Sequence, residues 1–263
     1  MNLQLDQRVA LVTGASQGLG YATALQLSRE GAQVAICSRE QAHVSAAADA
    51  IHAETRRPTL GVVADVSRPD DVHRLIERVV DEYGGLDILV ANSGGPQPMA
   101  FETVDDSVWR ASIDQMLMSA IWLIREALPH LRQSTIPSVL TVTSLSVKQP
   151  IANLVLSNTI RLSVIGLTKT LAQELGPERI RFNSVLPGWT DTEHAQELLA
   201  DRARRNQSTL EDEYAKQAAN SPFGRLATPQ EFANVAVFLV SPAASYLTGL
   251  MLPVDGGSLR GIF

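Results

Sequence analysis

Short apolar segments alternate with longer amphipathic segments along almost the whole chain. The apolar segments are rich in β-branched residues and almost uniformly hydrophobic, as expected of strands covered by helices on both faces. The predicted strands are Val9–Thr13, Val34–Ser38, Thr59–Asp65, Leu86–Ala91, Val139–Thr143, Ile180–Val185 and Met251–Val254. Strand and helix in alternation predict right-handed crossovers, and therefore a doubly wound α/β fold with a parallel sheet of about seven strands.

The segments between the strands carry helical periodicity. Residues 70–83 read as one helix, and in residues 158–175 the apolar side chains recur every three or four positions. No linker, internal repeat or low-complexity stretch interrupts the pattern, so all 263 residues are predicted to form a single domain.

Residues 193–220 depart from this alternation because they are polar, rich in charge and contain no predicted strand. They follow the carboxyl end of the sixth strand, where ligands bind in sheets of this kind. Two interpretations stay open for this insertion: a solvated helical segment, or a mobile lid over a ligand cleft.

Composition narrows the class of protein. Hydrophobic residues make up 45% and charged residues 19% of the chain, which is typical of a globular protein. The net charge of -6 disfavours nucleic acid as a partner. Cys37 is the single cysteine, the five histidines lack metal-ligand spacing, and neither a signal peptide nor a run of about 20 apolar residues is present. We therefore expect a cytoplasmic protein without a metal or a membrane partner.

The first predicted strand runs through Thr13-Gly14-Ala15-Ser16-Gln17-Gly18-Leu19-Gly20 into a predicted helix over Tyr21–Glu30. A glycine-rich turn between a strand and a helix directs free backbone N–H groups and the helix N-terminus at a phosphate group. The turn therefore predicts a Rossmann-type fold that binds a dinucleotide.

The spacing Gly-x3-Gly-x-Gly resembles that of the short-chain dehydrogenase/reductase (SDR) superfamily, and within it the layout is similar to 3-oxoacyl-ACP reductases. The resemblance extends along the chain through Asp65-Val66, Asn92-Ser93-Gly94, the run from Asn183 to Gly188, Thr190, Thr192, Gly224-Arg225-Leu226 and Val254-Asp255-Gly256-Gly257. It implies that Asp65 binds the adenine amino group and that Asn92 lies on the ribose side. Pro187, Gly188 and Thr192 would hold the nicotinamide. The cofactor residues predicted in this way are Gly14, Ser16, Gln17, Gly18, Leu19, Gly20, Ser38, Arg39, Asp65, Val66, Asn92, Ser93, Gly94, Arg161, Pro187, Gly188, Thr190 and Thr192.

The end of the second strand bears on the choice of cofactor. An enzyme that uses NAD commonly has an acidic residue there, which binds the ribose 2′-hydroxyl and repels a 2′-phosphate. This chain has Ser38-Arg39-Glu40 instead, and an arginine makes charge-assisted bonds to phosphate. NADP(H) is therefore favoured over NAD(H). Two features weigh against it: Gln17 stands where many relatives that use NADP have a second basic residue, and Glu40 could pair with Arg39.

The catalytic pattern of the family is altered. A typical SDR uses a tyrosine as proton donor, a lysine four residues later, and a serine about 13 residues upstream that polarises the carbonyl group. Here Ser144 matches the family serine, but Ser157 and Arg161 occupy the tyrosine and lysine positions. Met116 aligns with the family asparagine, although a slip of the alignment would substitute Asp114 or Gln115.

These replacements leave three interpretations. In the first, the protein is an oxidoreductase with a rebuilt site: Ser144 orients the substrate oxygen, Arg161 holds the nicotinamide ribose, and Lys148 or Ser157 donates the proton, with Ser146 as a further candidate. In the second, it is a catalytically silent nucleotide-binding sensor or structural subunit. In the third, it performs a different reaction that needs no external proton donor.

The substrate side of the sequence is less specific. Trp189 and Phe101 are candidates to line an apolar pocket. Arg202, Arg204 and Arg205 either attract an anionic substrate or carrier protein or form a solvated helix face. The resemblance also implies a homotetramer or dimer, and the apolar residues offered for its interfaces are Ile121, Trp122, Ile124 and the tail Gly261-Ile262-Phe263.

Overall fold

The computed structural model describes residues 2–261, and its strands form one parallel sheet of seven strands in the order β3-β2-β1-β4-β5-β6-β7. The strands are β1 (Val9–Val12), β2 (Gln33–Ser38), β3 (Thr59–Val63), β4 (Ile88–Ala91), β5 (Ser138–Val142), β6 (Arg181–Pro187) and β7 (Met251–Val254). The predicted Rossmann-type α/β fold is confirmed, and every predicted strand is present. Residues 262 and 263 of the predicted interface tail lie outside the described residues.

Helices cover both faces of the sheet. One face carries α1 (Gly18–Arg29), α2 (Gln41–Thr55) and α9 (Pro229–Val240), and the other carries α3 (Pro69–Tyr83), α5 (Ser119–Leu131) and α6 (Val155–Glu174). The remaining helices are α4 (Asp106–Ile113), α7 (Glu193–Asn206) and α8 (Leu210–Ala218). None of the helices in the described part of the chain combines the length and the hydropathy that a membrane crossing needs.

Successive strand residues face opposite layers, which explains why the strands are uniformly apolar. Ala10 and Val12 pack against the first layer of helices, whereas Val9 and Leu11 pack against the second. All four side chains are buried. A strand whose two faces are both covered must be hydrophobic at consecutive positions.

Residues 193–220 form the helices α7 and α8, which pack together through a small core of their own that includes Leu199 and Ala218. Glu213 joins the two helices: it is 1% exposed, and its Oε1 accepts hydrogen bonds from Asn206, Ser208 and Lys216 at 3.2, 2.7 and 2.7 Å. These donors lower the pKa of Glu213 to about 2. The carboxylate therefore stays ionised at neutral pH and holds the two helices as one unit.

Candidate active site

A cleft of about 1150 Å³ lies across the carboxyl ends of the strands. The loops that follow the strands form its floor, and the N-terminal half of α7 forms part of its wall. Every residue predicted for the cofactor lines this cleft, from Gly14 through Arg161 to Thr192. Ser144 and Ser157 line it as well. The fold therefore brings together residues that are up to 178 positions apart, the separation between Gly14 and Thr192.

The cleft opens where β1 and β4 lie side by side. The Thr13 hydroxyl donates a hydrogen bond to the Asn92 carbonyl oxygen at 2.6 Å and accepts one from the Asn92 backbone N–H at 2.9 Å. The side-chain amide of Asn92 donates to the carbonyl oxygens of Thr13 and Gly14 at 3.2 and 3.0 Å. Asn92 thus fixes the start of the glycine loop.

The glycine loop leaves the N-terminus of α1 free to bind an anion. Gly14 and Gly18 have φ values of +56° and +58°, a region that favours glycine. A Cβ atom on Gly20 would approach the Gly14 carbonyl oxygen and would lie 2.9 Å from Cα of Ala15, so only glycine lets α1 pack this closely. Gln17, the N-cap residue, makes no side-chain capping bond, and the first-turn N–H groups therefore remain available to a phosphate.

The rim beyond β2 presents Arg39 to the cleft. Its guanidinium is exposed and forms no ion pair with any residue of the range 2–261. The Glu40 carboxylate lies 3.4 Å from the imidazole of His43, so the pairing of Glu40 with Arg39 is not observed. Below this rim, burial raises the pKa of Cys37 to about 12 and keeps its thiol neutral.

Three hydroxyl groups meet at the other end of the cleft. The Ser144 Oγ accepts a hydrogen bond from the Ser146 backbone N–H at 3.1 Å, and the Oγ atoms of Ser146 and Ser157 lie 3.4 Å apart. Ser157 and Ser146 are buried, and Ser144 is half-buried. The hydroxyls of Ser146 and Ser157 therefore contact each other, and the Ser144 hydroxyl is joined to this pair through the Ser146 backbone.

Arg161, one turn further along α6, is buried beneath this group with 8% exposure. Its Nη1 donates one hydrogen bond, to the Val142 carbonyl oxygen at 3.1 Å, and burial lowers its pKa to about 10. No carboxylate of the described chain pairs with it. The Arg161 side chain lines the cleft, so the other N–H groups of its guanidinium are open to a ligand there.

Arg181 shows how the same fold satisfies a half-buried guanidinium that does not line the cleft. Its Nη1 and Nη2 atoms donate five hydrogen bonds to backbone carbonyl oxygens at and after the end of α9, including those of Leu239 and Val240 at 2.6 and 2.8 Å. Arg161 has one such bond. The difference indicates that Arg161 is placed to donate hydrogen bonds into the cleft.

Several predicted residues lie elsewhere. Lys148 is exposed after the short helical turn Leu145–Val147 and is not among the residues that line the cleft, whereas its neighbour Gln149 is. Phe101 is 70% exposed and also lies outside the cleft, although Trp189 lines it as predicted. Ile124 is buried in the core between α5 and the sheet, so this residue is not available to an interface.

A π-helical turn, Asp114–Met118, separates α4 from α5 and contains the three candidates for the family asparagine, Asp114, Gln115 and Met116. Met116 is buried in a small core with Leu156 and Ile160. Gln115 lines the cleft instead, and its side-chain amide donates to the Gly94 carbonyl oxygen at 3.3 Å. The polar side chain that the π-helical turn presents to the cleft is therefore Gln115.

His194 is a cleft residue that the sequence analysis did not single out. It lies in the first turn of α7, and its Nε2 and the Nη2 of Arg161 both lie near Gly95, at 3.8 and 3.7 Å from an ideal Cβ position on that glycine. The sequence offered one signal for it, namely its position two residues after Thr192, which caps α7.

A parallel sheet whose glycine loop faces an open cleft at the β1–β4 junction defines a dinucleotide-binding protein of the Rossmann class. The profile of a family described as Enoyl-(Acyl carrier protein) reductase matches residues 14–258. The Dehydrogenase/reductase SDR family member 4 of Sus scrofa is 34% identical over 97% of this chain and 88% of its own length. The chain belongs to the short-chain dehydrogenase/reductase superfamily.

Two solved structures of this fold bear on the cofactor. L-sorbose reductase from Gluconobacter frateurii, complexed with NADPH and L-sorbose, is 29% identical with a TM-score of 0.95 over 100% of both chains. An NADPH-bound short chain oxidoreductase from Pseudomonas aeruginosa PAO1, described as containing an atypical catalytic center, is 31% identical with a TM-score of 0.88. The match covers 97% of this chain and 99% of the Pseudomonas chain. Both relatives hold NADPH.

The close packing of α1 on the glycine loop gives a test of this geometry. Gly20→Ala is expected to lower the free energy of unfolding by about 1–3 kcal/mol, because its Cβ would overlap the loop backbone. Gly166→Ala is the control: a Cβ in that position of α6 meets nothing within 4 Å, so this change is expected to raise stability by about 0.4–1 kcal/mol. Urea denaturation measures both, and equal stability of Gly20→Ala and the wild type would contradict the described packing.

Proposed function

We propose that this protein is an NADP(H)-dependent oxidoreductase that interconverts a carbonyl compound and an alcohol in an altered active site. The observation that carries the proposal is the buried guanidinium of Arg161, which lacks a carboxylate partner among the described residues and lines an otherwise complete dinucleotide cleft. Burying a charge without a counter-ion is costly, and a fold keeps such a group where its hydrogen bonds have a use.

The preference for NADP(H) rests on Arg39. Its guanidinium stands at the rim beyond β2, where the cofactor's 2′-position is bound in this fold, and no neighbouring acid neutralises it within residues 2–261. Arginine binds a phosphate through two parallel charge-assisted hydrogen bonds, whereas a ribose hydroxyl gains little from it. The NADPH carried by the two solved relatives agrees with this choice.

The residues at the nicotinamide end of the cleft have different roles. When bound, the cofactor supplies or accepts a hydride. Pro187, Gly188 and Thr192 position the nicotinamide, and Arg161 donates hydrogen bonds to its ribose and stabilises negative charge that develops on the substrate oxygen. Ser144 orients that oxygen, and Ser157 donates its hydroxyl proton to it and regains a proton from water in the cleft, while the Ser146 hydroxyl, 3.4 Å away, holds the Ser157 hydroxyl in place. Lys148 has no part in this proposal, because it lies outside the cleft.

Two alternatives remain distinct from this proposal. The replacement of both tyrosine and lysine favours a catalytically silent nucleotide-binding sensor or structural subunit, since a serine hydroxyl is a much weaker acid than a phenol. A reaction that needs no external proton donor would also tolerate these replacements. NADPH oxidation with any ketone of a broad panel distinguishes the oxidoreductase from the silent protein.

Calorimetric titration with NADPH and NADH tests the cofactor assignment. We expect the wild type to bind NADPH more tightly, and Arg39→Gln to weaken NADPH binding about 10- to 100-fold while leaving NADH binding unchanged, because one charge-assisted pair is lost. Arg56→Gln removes the same charge from an exposed residue at the C-terminal end of α2 and is the control. Binding of neither nucleotide by the wild type would refute the oxidoreductase function.

The proton donor is tested by comparing two variants. Ser157→Ala is expected to lower kcat about 10²- to 10⁴-fold, the range attributed to a general acid, without weakening NADPH binding. His194→Gln removes another proton-carrying group of the cleft and is expected to leave kcat nearly unchanged. Steady-state rates from NADPH absorbance provide the measurement. If His194→Gln lowers kcat more than Ser157→Ala does, His194 is the proton donor instead of Ser157.

We also propose that the protein assembles as a homotetramer or a dimer. Leu162 on α6 is 53% exposed, and Ile121 and Trp122 on α5 are half-buried, so this side retains apolar surface after the chain has folded. Sedimentation velocity at micromolar concentration is expected to give a species of two or four chains. A monomer would show that this surface serves another purpose.

A further inference from the structure

Three arginines near the C-terminal end of α7 point in different directions. Arg204 and Arg205 lie 3.3 and 3.0 Å from the carboxylate of Asp201, and both are exposed on the outer side of the helix. Arg202 instead lines the cleft. The helix therefore separates one guanidinium from the two that face solvent.

Arg202 is held in place by two neutral groups. Its guanidinium carbon lies 5.1 Å from the centre of the Trp189 ring, and its Nη1 donates to the Oε1 of Gln217 at 3.0 Å. Gln217 is itself only 9% exposed. A cation–π contact and a buried amide fix the side chain without neutralising it, so its charge remains available.

The free edge of this guanidinium has the donors that a carboxylate requires. Within the described chain, Nε and Nη2 of Arg202 make no hydrogen bond, and no acidic side chain lies within 4 Å. Nε–H and one Nη2–H point in parallel, which matches the two oxygens of a carboxylate. A single guanidinium of this kind suits a monoanion better than a phosphate dianion, which binds to several cations in most sites.

The surrounding charges favour an anion at this end of the cleft. Arg161 and Arg260 also line the cleft, and so does Glu193, in the first turn of α7. Trp189 and Leu198 add apolar surface beside Arg202. Trp189 follows Pro187 and Gly188 directly, so Arg202 stands over the part of the cleft where the nicotinamide residues lie.

We propose that Arg202 binds the carboxylate of the substrate, and hence that the substrates are small keto acids or hydroxy acids with an apolar body. The inference rests on the proposed oxidoreductase function for the reacting group, which lies at Ser144 and Ser157. Arg202 holds the opposite end of the molecule, while Trp189 and Leu198 contact the body between them. The carboxylate takes no part in the hydride or proton transfer.

The test compares acids with their neutral amides. Benzoate with benzamide, and cyclohexanecarboxylate with its amide, are titrated calorimetrically into the protein with and without saturating NADPH. We expect at least one acid to bind about tenfold or more tightly than its amide. Arg202→Gln is expected to weaken binding of that acid about 10- to 100-fold and to leave the amide unaffected. Arg202→Lys keeps the charge without the planar fork and is expected to fall between them.

Arg204→Gln is the matched control, because it removes one positive charge from the same helix at a residue that faces solvent. It is expected to bind the acid as the wild type does. The proposal is wrong if neither acid binds more tightly than its amide, or if Arg204→Gln weakens the acid as much as Arg202→Gln.

The NADPH titration separates this proposal from the function on which it rests. If the protein binds the acid through Arg202 but binds no nucleotide, the proposed carboxylate site stands and the proposed oxidoreductase function is refuted. If the protein binds NADPH but does not discriminate between acid and amide, the proposed oxidoreductase function stands and the proposed carboxylate site is refuted. If Arg202→Gln also loses NADPH affinity, acid binding by Arg202→Lys is compared with acid binding by Arg204→Gln. Weaker binding by Arg202→Lys assigns the carboxylate to Arg202, and equal binding overturns the proposal.

Discussion

The cleft depends on the hydrogen bonds that join the ends of β1 and β4. The chain leaves β1 toward one face of the sheet and β4 toward the other, so the two strands part and a crevice opens between their loops. Asn92 and Thr13 join the two loops through four hydrogen bonds. Those bonds use the carbonyl groups of the glycine loop and leave the first-turn amides of α1 for a ligand.

Arg161, which is buried, and Arg181, which is half-buried, show that one fold uses the same side chain for two different purposes. Burial lowers the pKa of both Arg161 and Arg181 to about 10, so each remains protonated at neutral pH. Arg181 distributes its charge over backbone carbonyl groups and connects β6 to the end of α9. Arg161 has one carbonyl partner and a cleft beside it. The number of satisfied donors therefore separates a structural cation from one that is available to a ligand.

The strands of the sheet and the nucleotide-binding loop could be predicted because each depends on residues that are neighbours in the sequence. Consecutive apolar positions identify strands that are covered on two faces, and glycines after a strand identify the loop. The site beyond the loop was harder to predict. The π-helical turn shifts which side chain faces inward, so Gln115 rather than Met116 meets the cleft. Lys148 is four residues from Ser144, but the helical turn after β5 directs it away from the cleft.

The sequence by itself determined the succession of strands and helices along the chain and the position of the glycine loop, since each is a matter of residue type and spacing. Only the tertiary structure decided which charged groups face the cleft. Arg202, Arg204 and Arg205 are almost adjacent in sequence, and helical geometry turns them to different sides. Which side meets the cleft depends on how α7 packs, and that is set by contacts such as Leu199 with Ala218 and Leu226, which are distant in the sequence.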